Sequence, residues 1–133
     1  MNITFDNNVL LSAILWDGSV SQKLLFDLIR RGDVELFVSQ DILNEFRRVL
    51  KRDFSYEEQE IKPLVTLVKQ VFKVVDAPVE VHVVEADPDD DIVIACAIKS
   101  KSEYIITYND HLTDLKSYNN VKIITPEAAR ASI

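Results

Sequence analysis

Short β-prone runs alternate with segments of helical periodicity along the chain, and this alternation constrains the fold most. The strand-like runs are residues 3–5, 34–38, 79–84, 104–107 and 121–124. Strands that are joined by helices pair in parallel, and a parallel sheet needs helices on both of its faces. The pattern therefore predicts an α/β protein, a three-layer α/β/α sandwich with a mainly parallel central sheet of four to five strands.

Polar residues mark the expected helix starts. A serine or threonine precedes three of the segments with helical periodicity, at Ser19, Ser39 and Thr125. A serine or threonine at such a place accepts a hydrogen bond from the first helical turn. The segment 56–74 also has a helical pattern. Pro63 predicts either that this segment breaks into two helices or that the proline lies in the first turn of the second helix. Residues 110–118 predict one more short helix.

Length and composition are those of one ordinary globular domain, and we expect it to span residues 1–133. The chain is 47% hydrophobic and 28% charged, so it can bury a core without disulfides. Its lone cysteine, Cys96, lies between isoleucines and is expected to be a small core residue in a reducing compartment. We find neither an apolar run of membrane-spanning length nor a signal-peptide pattern, so we expect a cytoplasmic protein.

The net charge of −7 argues against a non-specific polyanion binder. The charges are unevenly placed, however. A basic run contains Arg47, Arg48, Lys51 and Arg52, and an acidic run contains Asp87, Asp89, Asp90 and Asp91. The basic run could follow an RNA backbone, or it could be a solvated helix C-terminus that its cations stabilise. A metal ion bound by the acidic residues would cancel much of their repulsion.

Carboxylate and amide side chains occur where strands are expected to end, which is where parallel sheets bind ligands. Asp6 follows the first strand, and Asn109 and Asp110 follow a later one. Glu45 borders the apolar stripe of the third helix, although that helix has many exposed positions for a glutamate. Asp91 shares a helix face with an Ile and Ala stripe that we expect to be buried.

Each of these residues also has a purely structural explanation. Asp6 and Asn109 could cap helices or turns, and Glu45 could pair with Arg48 three residues later. The acids of the run that precedes Asp91 complement a helix dipole. Gathered at one edge, however, like charges repel unless a cation lies between them. Oxygen ligands suit Mg²⁺ or Mn²⁺ better than zinc, and a carboxylate-bound ion of this kind supports phosphodiester hydrolysis.

Four motifs in this order resemble the PIN domain, a nuclease family that includes the toxin halves of toxin–antitoxin pairs. They are Phe5-Asp6-Asn7-Asn8-Val9-Leu10, Ser39-Gln40-Asp41-Ile42-Leu43-Asn44-Glu45, Asp87-Pro88-Asp89-Asp90-Asp91-Ile92-Val93-Ile94-Ala95 and Ile105-Ile106-Thr107-Tyr108-Asn109. The resemblance runs from residue 3 to about residue 130. The Asp-Pro-Asp-Asp-Asp stretch is especially similar to one subgroup of toxins.

The resemblance implies a set of site residues. Asp6, Glu45 and Asp91 would bind one or two Mg²⁺ or Mn²⁺ ions and, with Asn109, form the catalytic set. Asn8 would order this cluster, and Thr107 would position the phosphate or a water on the metal. The sequence departs from the family where Asn109 replaces an acid that many members carry. Asp110, one residue later, is the alternative fourth ligand, so the number of ions stays open.

The implied activity is that of an endoribonuclease, in which a metal-activated water cleaves RNA to leave 5′-phosphate and 3′-hydroxyl ends. The implied partners are an RNA substrate, a cognate antitoxin and a second copy of the chain in a homodimer. One alternative is a catalytically inactive PIN-like module that binds protein or nucleic acid. Another is a receiver-like phosphoacceptor domain, but that class requires a lysine after a late strand. His82 and His111 are isolated and are not expected to be metal ligands.

Overall fold

A computed structural model of the protein describes residues 1–79 and 88–133, with the side chains of residues 88 and 89 left aside. Its strands are β1 (Asn2–Phe5), β2 (Glu35–Ser39), β3 (Lys73–Val75), β4 (Tyr104–Ile106), β5 (Ser117–Tyr118) and β6 (Val121–Ile124). Its helices are α1 (Asn7–Leu15), α2 (Val20–Arg30), α3 (Gln40–Phe54), α4 (Glu58–Val71), α5 (Pro88–Lys99), α6 (Asp110–Thr113) and α7 (Pro126–Ser132).

The strands form one sheet in the order β3-β2-β1-β4-β6-β5, in which only β5 runs antiparallel to its neighbour. This confirms the predicted α/β class with a mainly parallel sheet. The described sheet has six strands, however, whereas we predicted four to five. The predicted strand at 79–84 lies outside the described residues except for Val79, which is not in a strand.

The first additional strand, β3, was predicted as the end of a helix. The chain leaves α4 at Phe72, and Val74 and Val75 are β-branched residues that favour extended backbone. They pair in parallel with Val38 and Ser39 of β2. The helical spacing of the preceding apolar residues concealed this short edge strand.

The second additional strand, β5, belongs to a hairpin. The helix that we predicted over 110–118 ends at Thr113. Asn119 and Asn120 have φ angles of 47° and 68°, the left-handed values of a two-residue hairpin turn that asparagine tolerates. The turn brings Tyr118 opposite Val121. The prediction was wrong because it gave this asparagine pair no weight.

The prediction of a break at Pro63 was also wrong, since α4 is one continuous helix with Pro63 as its sixth residue. A proline there removes a single hydrogen bond, the one to the carbonyl of Gln59. Glu57 and Glu60 form a capping box at the helix start, which compensates part of this loss. Buried side chains hold the rest of the helix on the core: Ile61, Val65 and Val68.

The predicted helix starts are confirmed by three capping hydrogen bonds. Ser19 Oγ accepts from the Gln22 amide at 3.1 Å, and Ser39 Oγ accepts from the Ile42 amide at 3.1 Å. Thr125 Oγ1 accepts from the amide of Ala128 at 3.2 Å. Within the described ranges no single helix is long and apolar enough to cross a bilayer; α1 and α2 meet such a test only as a pair, and they are bent by 92°.

Neighbouring residues of β1 contact helices on opposite faces of the sheet. Thr4 Oγ1 lies 3.8 Å from the Sγ atom of Cys96 in α5, whereas the Phe5 ring packs 5.2 Å from that of Phe72 at the end of α4. Because alternate side chains of a strand point to opposite faces, the sheet lies between two helical layers. Cys96 is fully buried, as predicted. Ile98 belongs to the Ile and Ala stripe that we expected to be buried on the same face as Asp91, but it is 41% exposed in the last turn of α5.

The order in which the chain adds strands to the sheet changes side between β1 and β4. From β1 the chain continues to β2 on one side, and from β4 it continues to β6 on the other side. Such a reversal opens a crevice at the carboxyl ends of the two strands. The Asp6 amide donates to the Ile106 carbonyl at 3.0 Å, and the Thr107 amide donates to that of Ile124 at 3.0 Å. Asp6 and Thr107 therefore lie at this crevice, which we call the switch point.

Candidate active site

Asp6 connects the ends of the two central strands. Its Oδ1 accepts a hydrogen bond of 2.6 Å from the Asn7 amide, so Asp6 is the N-cap of α1. Its Oδ2 accepts a hydrogen bond of 2.7 Å from Thr107 Oγ1. Asp6 is 6% exposed and Thr107 is fully buried. The structural explanation of Asp6 as a helix cap is thus confirmed, but its second oxygen takes part in a contact between strands.

Asn8 adds a second link between the same two strand ends. Its side-chain nitrogen Nδ2 donates to Asp6 Oδ2 at 3.4 Å, and its Oδ1 accepts from the backbone amide of Tyr108 at 3.2 Å. The second bond fixes the chain that follows Thr107. Asn8 is therefore placed to orient Asp6 relative to the segment after β4.

Asn109 extends the network to α5. Its backbone amide donates to Thr107 Oγ1 at 3.0 Å, and its Oδ1 caps α6 by accepting from the His111 amide at 2.9 Å. Its side-chain nitrogen donates to Asp90 Oδ1 at 2.7 Å. Asp90 is 4% exposed. Hydrogen bonds thus link four residues in the order Asp6, Thr107, Asn109 and Asp90. We call this set of residues the switch-point network.

The sequence interpretation gave Asp90 only a role at the start of α5. A usable signal was available, because the side-chain amide of an asparagine can donate to a carboxylate. Asp91, the residue that we favoured, is buried at 2% exposure one position further along the helix. Asp87 lies outside the described residues, as do His82 and the side chain of Asp89.

Glu45 is a half-buried residue in the second turn of α3, which begins where β2 ends. It acts electrostatically on the end of its own helix: the pKa of Arg52 is raised first by a hydrogen bond to Asp53 and, more weakly, by the charge of Glu45. Among the His, Cys, Asp and Glu side chains that the structure describes, a set that leaves out Asp87 and Asp89, no three form a group that could hold a metal. The roles of Glu45 and Asp91 as ligands therefore stay predictions.

Asp110 and His111 form the outer edge of the site. Asp110 is exposed as the first residue of α6. His111 is also exposed, and its Nδ1 atom lies 3.8 Å from Asp90 Oδ2. His111 is thus at the surface, as expected, but beside a buried carboxylate of the network. Whether Asp110 binds a metal stays a prediction.

The basic run at the end of α3 is largely paired with acids. Arg47 Nη1 lies 2.7 Å from Glu58 Oε1, and Lys51 Nζ lies 2.9 Å from Glu58 Oε2. Hydrogen bonds from Lys51 and then Arg47 hold the pKa of Glu58 below its usual value. Arg52 pairs with Asp53 at 2.7 Å. These pairs reduce the positive field of the run, so its contact with RNA stays a prediction.

The donor chemistry at the switch point fits Mg²⁺ or Mn²⁺. The network offers carboxylate, hydroxyl and amide oxygens, the ligand types of hard divalent cations. Two of its carboxylates, Asp6 and Asp90, are almost fully buried, and burial of charge is costly unless hydrogen bonds or a cation compensate it. Next to Asp6, the buried Asn7 Oδ1 atom accepts no hydrogen bond from any described group.

Comparison with known proteins gives matches of two kinds, a protein family and solved structures. A family model described as "PIN domain" matches residues 2–111. Among solved structures, the fold is similar to a crystal structure of VapBC2 from Rickettsia felis bound to a DNA fragment from their promoter, with a TM-score of 0.69 and 12% sequence identity. That alignment covers 94% of this chain and 98% of the other. No curated protein matches the sequence significantly.

Proposed function

The chain belongs to the PIN-domain family, and we propose that it is a metal-dependent endoribonuclease that hydrolyses RNA phosphodiesters. The observation that carries this proposal is the switch-point network. It gathers two buried carboxylates, Asp6 and Asp90, at the position where parallel sheets bind ligands. Carboxylates gathered in this way serve a hydrolase that works with a divalent cation.

In this proposal Asp6, Glu45 and Asp91 hold one or two Mg²⁺ or Mn²⁺ ions, and Asp110 is a further candidate ligand. When bound, such an ion would lower the pKa of a water and neutralise charge on the phosphate. Water attack without use of the 2′-hydroxyl leaves a 5′-phosphate and a 3′-hydroxyl.

The other residues of the network hold the carboxylates in place. Thr107 donates to one oxygen of Asp6 while the Asn7 amide holds the other, so the carboxylate plane is fixed. Asn109 takes the position of the fourth polar residue, where it donates to Asp90. Asn8 fixes the chain after Thr107. A site held at several points in this way is preorganised, which favours catalysis over mere binding.

A second candidate function is that of a catalytically inactive PIN-like module that binds protein or nucleic acid. One observation favours it. Asn109 stands where many relatives carry an acid, and its side-chain nitrogen donates to Asp90 at 2.7 Å. A chain of this kind would bind RNA or a partner without cleaving it.

We further propose that the protein is the toxin of a toxin–antitoxin pair and that it forms a homodimer. The family assignment supports the first statement, and so does the fold similarity to VapBC2. An apolar groove of about 140 Å³ between α2 and α4 supports a protein contact, because the exposed side chains of Phe26, Ile29 and Leu67 line it. The RNA would approach along Arg47, Arg48, Lys51 and Arg52.

RNA cleavage by the purified chain tests the nuclease proposal. The substrate is a fluorescently labelled single-stranded RNA of mixed sequence, with Mn²⁺ or with EDTA, and the product ends are identified. We expect cleavage with Mn²⁺ only, with 5′-phosphate ends. Asp6→Asn should abolish it and still cap α1, because the amide retains the oxygen that accepts from Asn7. The matched control is Asp114→Asn, a change of the same type at an exposed residue.

The controls decide between the two candidate functions. Cleavage that persists in EDTA or in Asp6→Asn, in samples free of contaminating ribonuclease, contradicts the metal-dependent proposal. RNA binding without cleavage at any metal concentration supports the inactive module. Far-UV circular dichroism establishes that Asp6→Asn is folded, so loss of cleavage is then a loss of chemistry.

A further inference from the structure

Tyr108 is an exposed aromatic residue between two members of the switch-point network. Its chain neighbours Thr107 and Asn109 both bind within that network, and its own amide donates to Asn8 Oδ1 at 3.2 Å. Tyr108 is 38% exposed, whereas Thr107 is fully buried. A partly exposed aromatic residue therefore stands directly between Thr107 and Asn109, the two residues that bind the carboxylates Asp6 and Asp90.

The phenol of Tyr108 is held at two points. Its hydroxyl accepts from Ser21 Oγ of α2 at 3.2 Å and donates to Glu127 Oε1 of α7 at 2.9 Å. Burial, and secondarily the bond to Glu127, raises the pKa of Tyr108, so the phenol is neutral at physiological pH. A ring that is anchored through its hydroxyl loses little further freedom when a ligand packs on it.

We propose that Tyr108 is a base-stacking residue whose ring packs against a nucleobase of the RNA next to the phosphodiester at the switch point. This inference rests on the proposed ribonuclease function and assigns that site a subsite for the base. Single-stranded RNA is the form that fits, since its unpaired bases are free to stack on aromatic side chains. Every base has a π-face, so contact with Tyr108 tolerates different sequences.

A base-stacking subsite would add affinity for RNA that the charge of the protein does not supply. The chain carries a net charge of −7, and Arg47, Lys51 and Arg52 are paired with acids. Neutralisation of phosphates, the usual source of affinity for RNA, is therefore weak on this surface. Stacking contributes about 1–3 kcal/mol per base, which corresponds to about 5- to 150-fold in Kd.

Fluorescence anisotropy with a labelled 12-nucleotide single-stranded RNA tests this inference, with Ca²⁺ in place of Mn²⁺ so that the site keeps a divalent cation while cleavage is suppressed. Tyr108→Leu should weaken binding about 5- to 150-fold, whereas Tyr108→Phe should keep most of the affinity because the ring remains. The control is Trp16→Leu, which removes an exposed ring at the C-terminal end of α1, the end opposite to Asp6. Equal affinities of wild type and Tyr108→Leu, or no binding by either protein, overturn the inference.

A change in the RNA tests the same contact with the wild-type protein, whose folding no substitution can disturb. An oligomer of the same length with abasic nucleotides should bind wild type more weakly, and Tyr108→Leu should then cost nothing further, because the two changes remove the same contact. A loss in Tyr108→Leu that is equally large on abasic RNA shows that Tyr108 does not stack on a base. That result would assign the ring to another contact, such as one with a protein partner.

A parallel cleavage assay with Mn²⁺ separates this inference from the function on which it rests. Base-dependent binding through Tyr108 without any cleavage supports the subsite and contradicts the nuclease proposal. Cleavage by wild type with unchanged binding by Tyr108→Leu supports the nuclease proposal and overturns the subsite.

Discussion

Replacement of Thr107 by valine tests whether its hydroxyl holds the Asp6 carboxylate. Valine has nearly the same shape, so no cavity forms in this fully buried place. The variant loses the 2.7 Å bond to Asp6 Oδ2, and the Asn109 amide loses its acceptor at 3.0 Å. A hydrogen bond to a charged group contributes about 1.5–3 kcal/mol, and a half-buried unsatisfied amide costs about 1 kcal/mol more. We expect Thr107→Val to destabilise the fold by about 2.5–4 kcal/mol.

The comparison variant is Thr107→Ser, which keeps the hydroxyl and removes one methyl group. Its expected cost is about 1 kcal/mol. Urea unfolding followed by circular dichroism at 222 nm measures both variants, with the slope of free energy against urea required to stay constant. The order of stability should be wild type, then serine, then valine. If valine proves as stable as serine, the hydroxyl does not hold Asp6, and the switch-point network is not a unit.

Three further predictions concern other parts of the molecule. Pro63→Ala should raise the free energy of unfolding by about 2 kcal/mol, because a helical hydrogen bond returns and the ring clash disappears; an unchanged urea midpoint would refute this. Burial raises the pKa of the Cys96 thiol to about 12, so a thiol reagent at pH 8 should react only after unfolding, and rapid reaction with the folded protein would refute its burial. Glu58→Gln should release Arg47 and Lys51 from their ion pairs and so lower the Kd for RNA at low salt, measured by fluorescence anisotropy. An unchanged Kd would show that the basic run does not contact the RNA.

Local patterns predicted most of the fold because they report local physics. Ser19, Ser39 and Thr125 mark helix starts, since each hydroxyl satisfies an amide of the turn that follows it. The two strands that we missed are edge strands of two or three residues, too short to show an alternating pattern. Pro63 misled the prediction because tertiary packing of one helix face outweighs the loss of a single hydrogen bond.

The candidate site could be predicted only in part, because its contacts join residues that are far apart in the sequence. The sequence indicated that Asp6 follows one strand and that Thr107 ends another, and parallel pairing then placed them at one edge. The bond between Asn109 and Asp90 depends on which of three consecutive aspartates at the start of α5 faces the segment after β4, and helical periodicity alone does not decide that. The position of Tyr108 between Ser21 and Glu127 depends on how α2 and α7 pack, which no local pattern encodes.

Binding of Mn²⁺, measured through the electron paramagnetic resonance signal of the free ion, tests most directly whether the carboxylates at the switch point form a cation site. Wild type and Asp114→Asn should each remove one or two equivalents of Mn²⁺ from solution, and excess Mg²⁺ should release them. Asp6→Asn should leave the signal of the free ion unchanged. A wild-type protein that binds no Mn²⁺, or an Asp6→Asn variant that binds as much as wild type, would contradict the account.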